Sequence, residues 1–288
     1  MAKKLTVKDI LELKGKRKIV AASSFGYFNA KAQEEAGVDI LGTNGEFISI
    51  LIKGHMTIMD DTIEDALASI EGVRNGAPNT FLFVRPPYGY HFLGVDDTLR
   101  MASKLIKGGA DAVRLQVGSV ANIGDSKIEK IRALTREGIP CAGHIGLVPR
   151  YTTWFGGFRC QGKRAEEAIR IYRDAVRIQE AGAIWIETEC VPHKVAAEIT
   201  KRIKIPILGI GSGPGCDGEI QVHLDTLGLH DGHYPKHSKI YMNHYKDSVK
   251  AFKKYREEVL ESKFPSKEFS FEIEEEEFEK FIDEIDKN

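Results

Sequence analysis

An α/β fold, in the form of a closed (β/α)8 barrel, is predicted by three features of the 288-residue sequence. Short β-branched or apolar runs alternate with longer helical patterns, giving eight repeats of one strand and one helix over roughly 250 residues, the length of a TIM barrel. A recurring boundary signal puts a glycine where a helix would stop, just ahead of a buried strand. Finally, 42% hydrophobic and 29% charged residues give enough apolar surface for one barrel-sized core.

Taken in order, the strand candidates are residues 18–22, 39–43, 80–85, 112–116, 140–143, 183–188, 206–210 and 221–224. The second, fourth and sixth follow Ala36-Gly37-Val38-Asp39, Gly109-Ala110-Asp111-Ala112 and Ala181-Gly182-Ala183-Ile184. The fifth and seventh open on Gly138-Ile139-Pro140 and Lys204-Ile205-Pro206, with proline where no ladder donor is needed. A doubly wound sheet is the competing reading, and it would place its ligand at Gly209-Ile210-Gly211-Ser212-Gly213-Pro214-Gly215. Pro214 and Gly215 interrupt any helix start there, so this run reads as the loop after the seventh strand rather than a dinucleotide fingerprint.

Residues 271–288 form a separate compositional unit. They hold nine acids and two lysines, a net −7 that leaves about +6 on residues 1–270. Phe278, Phe281, Ile282 and Ile285 follow helical spacing, so the tail is expected to be an amphipathic helix, docked on the body or on a neighbouring subunit or simply solvated. The expected organisation is a catalytic barrel over 1–270 and an acidic tail over 271–288.

Composition also excludes several functions. With 41 basic against 42 acidic side chains and a net charge of −1, there is no electrostatic footprint for nucleic acid. No apolar run approaches the ~18 residues that span a bilayer, and the Met-Ala-Lys-Lys start lacks a secretory h-region, so no membrane partner is expected. Cys141, Cys160, Cys190 and Cys216 are widely spaced, which fits a reducing, cytoplasmic location. Cys190 reads as a core residue without a thiolate-stabilising partner. His223, His230, His233 and His237 cluster in sequence but read as turn residues rather than metal ligands.

In a barrel, function sits where strands end. Those positions carry Ser23 and Ser24, then Asn44, Gly45 and Glu46, then Arg85, Arg114 and Gln116, His144, and Glu187 and Glu189. Arg114 and Gln116 alternate with Val113 and Leu115, so they share a face, as do Glu187 and Glu189. Two arginines at a barrel mouth suit a small anionic 2-oxo acid, because guanidinium binds carboxylate through two parallel hydrogen bonds. A desolvated Glu189 there would serve as general base on a carbon acid. Any one Arg–Glu pair inside a barrel is more often a structural ion pair, so the functional case rests on the set. Ser23 and Ser24 have no evident triad, and no G-x-S-x-G elbow is present.

The ordered motifs are Gly54-His55, Arg74-Asn75-Gly76-Ala77-Pro78-Asn79, Gly143-His144-Ile145-Gly146-Leu147, Phe155-Gly156-Gly157-Phe158-Arg159-Cys160-Gln161-Gly162, Glu189-Cys190-Val191-Pro192, Ile205 to Gly213, and Asp217-Gly218-Glu219-Ile220. Together they resemble the ketopantoate hydroxymethyltransferase family, (β/α)8 enzymes of the phosphoenolpyruvate mutase/isocitrate lyase superfamily. The resemblance covers about residues 5–270. It implies an aldol-type transfer in which a magnesium ion chelates a 2-oxo acid, a glutamate removes the C3 proton, and the enolate attacks a one-carbon unit from methylenetetrahydrofolate. It assigns the base to Glu189, substrate contact to His144 and carboxylate binding to Arg114; from their places at the strand ends, Gln116, Ser23, Ser24, Gly45 and Glu187 are expected to line the substrate. It further implies a homo-oligomer.

The metal-facing positions depart from the family pattern. The family's Gly-Asp-Ser run matches Gly45-Glu46-Phe47, its strand-borne aspartate matches Arg85, and its glutamate matches Gln116. About three negative charges become none, and only Glu46 keeps a carboxylate for a metal. Affinity for Mg2+ is therefore expected to fall steeply, with Arg85 polarising the enolate oxygen in its place. The reading that follows is a divergent member making or breaking a C–C bond of a 2-oxo acid through an enolate. Its rivals are the parent hydroxymethyl transfer, which alone needs methylenetetrahydrofolate, and a non-catalytic metabolite-binding homologue.

Overall fold

The computed structural model describes residues 4–55, 57, 59–117 and 124–287. The chain folds as two compact units, one running to Thr226 and including Tyr234–Lys239, the other made of Leu227–His233 and the segment from Ile240 onward.

The first unit is a closed parallel barrel of eight strands in sequence order. They are β1 (Ile19–Ser23), β2 (Ile40–Thr43), β3 (Phe81–Val84), β4 (Ala112–Gln116), β5 (Cys141–Gly146), β6 (Ile186–Glu189), β7 (Ile207–Ile210) and β8 (Gly218–Gln221). Closure comes from β1 against β8, with Ile19 opposite Gly218 and Ala21 opposite Ile220. Around it run α1 (Val7–Leu13), α2 (Gly26–Glu35), α3 (Glu46–Leu51), α4 (Ile63–Gly76), α5 (Val95–Lys107), α6 (Gly124–Arg136), α7 (Thr152–Phe155), α8 (Ala165–Glu180), α9 (His193–Arg202) and α10 (His223–Thr226).

Two strand positions differ from expectation. The eighth strand lies three residues upstream of 221–224, and His223-Leu224 instead begins α10. The alternating Gln221-Val222-His223-Leu224 resembles a strand in pattern, whereas the true strand is disguised by Gly218, where a Cβ would come within 2.2 Å of the Ile19 carbonyl oxygen. The fifth strand runs on to Gly146, which sets His144 inside the ladder between Gln116 and Glu187. The glycine-rich run after β7 leads straight into β8 with no intervening helix.

Period-two alternation explains the core. Leu41, Leu82, Val84, Val113, Leu115, Cys141, Ile145, Ile186 and Ile207 pack outward against Ile70, Met101, Ile131 and Ile178 of the helices. The alternate residues Ile19, Ala21, Ile40, Phe81, Phe83, Ala112, Ala142, Trp185, Leu208 and Ile220 fill the lumen with a second apolar cluster. Trp185 meets Phe81 and Phe83 edge-on at 5.8 and 5.5 Å. Gly42 is required there, because a Cβ would sit 2.3 Å from the Phe83 ring. Two residues further along β1, β3, β4, β5 and β6, the same lumen rows turn polar at Ser23, Arg85, Arg114, His144 and Glu187.

The second unit contains α11 (His244–Leu260) and α12 (Glu275–Ile285), with Tyr255, Phe264 and Phe269 in ring contact. The expected tail helix is present as α12, and Phe278 and Phe281 share a face at 6.2 Å while remaining about half exposed. Among the described residues, no helix is long and apolar enough to cross a membrane.

Candidate active site

Above the aromatic floor, the lumen rows end in Arg85, Arg114, Gln116, His144, Glu187 and Glu189. Arg114 Nε lies 3.0 Å from Glu187 Oε2, and its Nη1 donates to His144 Nδ1 at 3.0 Å. Guanidinium has no acceptor, so Nδ1 is the accepting nitrogen and the imidazole proton resides on Nε2. That nitrogen is 3.1 Å from Glu189 Oε2. The contact is close but not aligned for a hydrogen bond: His144 Nε2, like Glu187 Oε1, Arg85 Nε and both side-chain atoms of Gln116, is buried without a hydrogen-bond partner. Buried polar groups are normally satisfied, so this ring of orphan donors and acceptors is suited to a polar ligand.

Glu189 is held at the end of β6 by its backbone. Leu147 N–H donates to its carbonyl at 2.8 Å, and Cys190 N–H donates to Ile210 O at 2.8 Å. Gly146, with φ 83°, permits this approach, since a Cβ would lie 2.3 Å from Glu189 O. Burial pushes the Glu189 carboxyl up to about 7, against the pull of Arg114, His237 and Arg85. Burial, reinforced by Arg114, presses His144 down to about 3, so its ring is neutral at physiological pH. Environment sets the two apart: a carboxyl that ionises near neutrality beside an imidazole that stays neutral.

Opposite this pair, the Arg85 guanidinium contacts Glu46 Oε2 directly, while Arg150 Nη2 lies 3.6 Å from Glu46 Oε1. Glu46 enters from the first turn of α3. Burial, then Arg150 and Arg114, press Arg85 well below its ordinary range, against the pull of Glu187 and Glu189, while Glu46 is the carboxylate in direct contact with it. A hard divalent cation takes anionic oxygens. Here Glu46 is the one carboxylate among the three metal-facing positions, both of its oxygens face guanidinium groups, and Gln116 is neutral. The residues present do not fit magnesium. Among the described residues, no three His, Cys, Asp or Glu side chains converge as a metal set elsewhere.

Other residues expected at the site have different surroundings. Ser23 Oγ pairs with His223 Nδ1 at 2.8 Å and accepts from the His223 backbone N–H at 2.9 Å, with Phe47 edge-on to that imidazole at 4.7 Å. Ser24 faces the start of α2, donating to Asn29 Oδ1 at 3.2 Å. Gly45 supplies close packing, because a Cβ would sit 3.0 Å from Thr62 O. Cys190 is not a core residue without a partner: it is half-buried, with Sγ 3.6 Å from His237 Nδ1, and burial raises its thiol to about 12.

Four residues escaped the sequence reading. Arg150, from a short 3-10 turn after β5, donates to Pro86 O at 2.7 Å and stacks 5.2 Å from the Tyr88 ring. Lys127 and Lys130 of α6 and His91 complete the wall. The only sequence trace of the lysines is their i, i+3 spacing alongside the buried Ile128, Ile131 and Leu134.

A sequence model described as ketopantoate hydroxymethyltransferase matches residues 4–267. The chain is 37% identical to 3-methyl-2-oxobutanoate hydroxymethyltransferase 1 of Methylibium petroleiphilum, covering 99% of this chain and 95% of that one. It is 38% identical to the 3-methyl-2-oxobutanoate hydroxymethyltransferase of Clostridium botulinum, covering 96% and 99%. In fold it is similar to 2,3-dimethylmalate lyase, a PEP mutase/isocitrate lyase superfamily member, with a TM-score of 0.56 and 15% identity over 92% of this chain and 90% of that one. Phosphoenolpyruvate phosphomutase from Streptomyces platensis subsp. rosaceus gives 0.59 at 12% identity over 89% and 86%. The chain therefore belongs to the ketopantoate hydroxymethyltransferase family.

Proposed function

We propose that the barrel mouth binds a small 2-oxo acid and makes or breaks its C–C bond through an enolate, without a divalent metal. The observation that carries this reading is Glu189, a buried carboxyl raised to about 7 and set 3.1 Å from His144 beside Arg114. Arg114 takes the substrate carboxylate, and His144 Nε2–H steadies the Glu189 carboxylate or a substrate oxygen. Glu189 accepts the C3 proton, the C–H electron pair passes into the C2–C3 bond, and negative charge gathers on the 2-oxo oxygen. Arg85 is the cation that stabilises that oxyanion. In the forward direction C3 attacks an electrophilic carbon; in reverse the same enolate is the leaving group. Gln116 and Glu187 supply further polar contacts to the ligand.

The second reading is the parent transfer to 3-methyl-2-oxobutanoate with methylenetetrahydrofolate as donor, which the 37–38% identity over nearly full length favours. It would require magnesium on Glu46 and waters. Both readings share a homo-oligomeric enzyme of the cytoplasm.

Incubation with 3-methyl-2-oxobutanoate in deuterated water, followed by NMR of the C3 proton with added magnesium and with a chelator, separates them. Exchange that persists in chelator and disappears in Glu189→Gln supports the metal-free reading. Exchange that requires magnesium supports the parent reaction, and binding without exchange marks a metabolite-binding homologue.

A further inference from the structure

The cations of the mouth outnumber the anions that face them. Arg85 is paired with Glu46 and Arg114 with Glu187, and Arg150 is supported by the buried Asp61 as well as by Glu46 at longer range. Lys127 and Lys130 are different. Both are about 5–6% exposed, and both ammoniums donate to the single neutral carbonyl of His91, Lys130 at 3.1 Å. Among the described residues, neither lysine has a carboxylate partner. The two side chains also hydrogen-bond one another, and two buried amines sharing one neutral carbonyl with no carboxylate is a costly arrangement, since buried charges are ordinarily paired or neutralised.

The lysines line one small cavity together with Arg85, Arg114, Gln116 and Arg150, so it is continuous with the residues assigned to the 2-oxo acid. Its free room is about 10 Å3, enough for a single water or one ligand oxygen. His91, which borders it, is pressed down to about 2 by burial and the surrounding cations, and its ring faces Tyr151 Oη at 2.5 Å. It adds no counter-charge. Burial and the neighbouring Lys130 press Lys127 down to about 7, so without an anion this wall begins to shed its charge near neutrality.

We infer that Lys127, Lys130 and Arg150 form a second oxyanion subsite, and that the substrate is therefore a 2-oxo acid carrying a further compact anionic group, a carboxylate or a phosphoryl group, rather than a monoanion with an apolar side chain. The inference rests on the 2-oxo acid reading for the first anion site. One oxygen of the second group takes the free room of the cavity while the rest of the group stays at its mouth, and as the lysine nitrogens turn from the His91 carbonyl toward it, charge-assisted hydrogen bonds replace the sharing of one acceptor. The subsite lies at α6 and the turn after β5, so it selects among 2-oxo acids without touching Glu189.

Calorimetric titration of the wild-type protein with 3-methyl-2-oxobutanoate, oxaloacetate, 3-phosphonopyruvate and succinate tests this. The dianionic 2-oxo acids are expected to bind about tenfold or more tighter than the monoanion, and oxaloacetate against 3-phosphonopyruvate tells carboxylate from phosphoryl. In Lys127→Met and Lys130→Met the advantage should shrink to within about twofold while monoanion affinity holds. Titration of the wild type at pH 7.5 in buffers of different ionisation enthalpy gives a measurement free of any folding defect in the variants. Dianion binding should take up more protons than monoanion binding, as Lys127 regains its charge. Equal affinities for mono- and dianions, with equal proton uptake, overturn the subsite and leave the 2-oxo acid reading intact. Lysine-dependent binding of succinate with no preference for a 2-oxo group supports the subsite and overturns that reading.

Discussion

The two halves of the barrel mouth have been built to different specifications. On the β5–β6 side, His144 and Glu189 keep the neutral imidazole and raised carboxyl that carbon-acid chemistry needs. On the β2–β3 side, Glu46 and Arg85 neutralise one another where the family resemblance implies carboxylates around a metal. On the proposed reading, proton abstraction and oxyanion stabilisation are separable parts of the site. The base depends on desolvation of one group, whereas the electrophile depends only on fixed positive charge nearby, which a guanidinium supplies as well as a cation held by three carboxylates.

The largest expected effect comes from breaking the acid–base half. Glu189→Gln keeps the shape and loses the base, so C3 exchange should fall by roughly 10²–10⁴-fold with little change in ligand affinity. Exchange within about threefold of wild type would remove Glu189 from the chemistry. Next is conversion of the other half. Arg85→Asp with Gln116→Glu gives three carboxylates with Glu46 and should create magnesium binding at roughly 10⁻⁴–10⁻³ M, where calorimetry on the wild type is expected to detect none. Metal-free exchange should drop by about 10²-fold because the fixed cation is gone. Arg85→Met alone leaves Glu46 buried with only the more distant Arg150, at a stability cost of about 3–5 kcal/mol in urea unfolding.

The pH dependence sharpens the same comparison. Glu189 acts only when ionised, so the exchange rate should rise about tenfold per pH unit below neutrality and level off above about 7. His144, pressed down to about 3, should contribute no limb in that range. Stability moves the opposite way. A carboxyl raised from its ordinary 4.5 to about 7 binds its proton more tightly folded than unfolded, so its contribution is full below 4.5 and is lost as pH rises through 7. That difference is worth on the order of 3 kcal/mol. Glu189→Gln should therefore match the wild type in Tm at pH 4 and exceed it at pH 8; a higher Tm at both values would point to a packing effect instead.

Much of this layout is legible in the sequence because strands alternate. The parity that sends Val113 and Leu115 outward sends Arg114 and Gln116 into the lumen, and the same holds for Glu187 and Glu189. What escaped has physical reasons. Gly218 carries no strand signal, since its role is to let β8 close against Ile19. Arg150 reaches the mouth from a turn with no local period, and Lys127 and Lys130 from a helix whose period marks a buried face but not which part of the barrel that face meets. The Glu46–Arg85 contact joins α3 to the end of β3, so its residues were visible as a charge change but their pairing was not.

The smallest effect on chemistry is expected beneath the site. Trp185 fills the lumen under Glu187, braced by Phe81 and Phe83, yet its indole N–H is buried without a partner. Trp185→Phe loses volume but also removes that unsatisfied donor, so the two terms oppose each other and the net cost should stay under about 2 kcal/mol. Trp185→Ala leaves the cavity with no such compensation beyond the lost N–H and should cost about 3–5 kcal/mol. Because Glu189 is fixed by Gly146, Leu147 and Ile210 rather than by the floor, exchange per folded molecule should change by less than about threefold in Trp185→Phe, with its pH midpoint unmoved. A shifted midpoint would mean that the aromatic floor sets the polarity around Glu189, and that the apolar and polar layers of the lumen work as one unit.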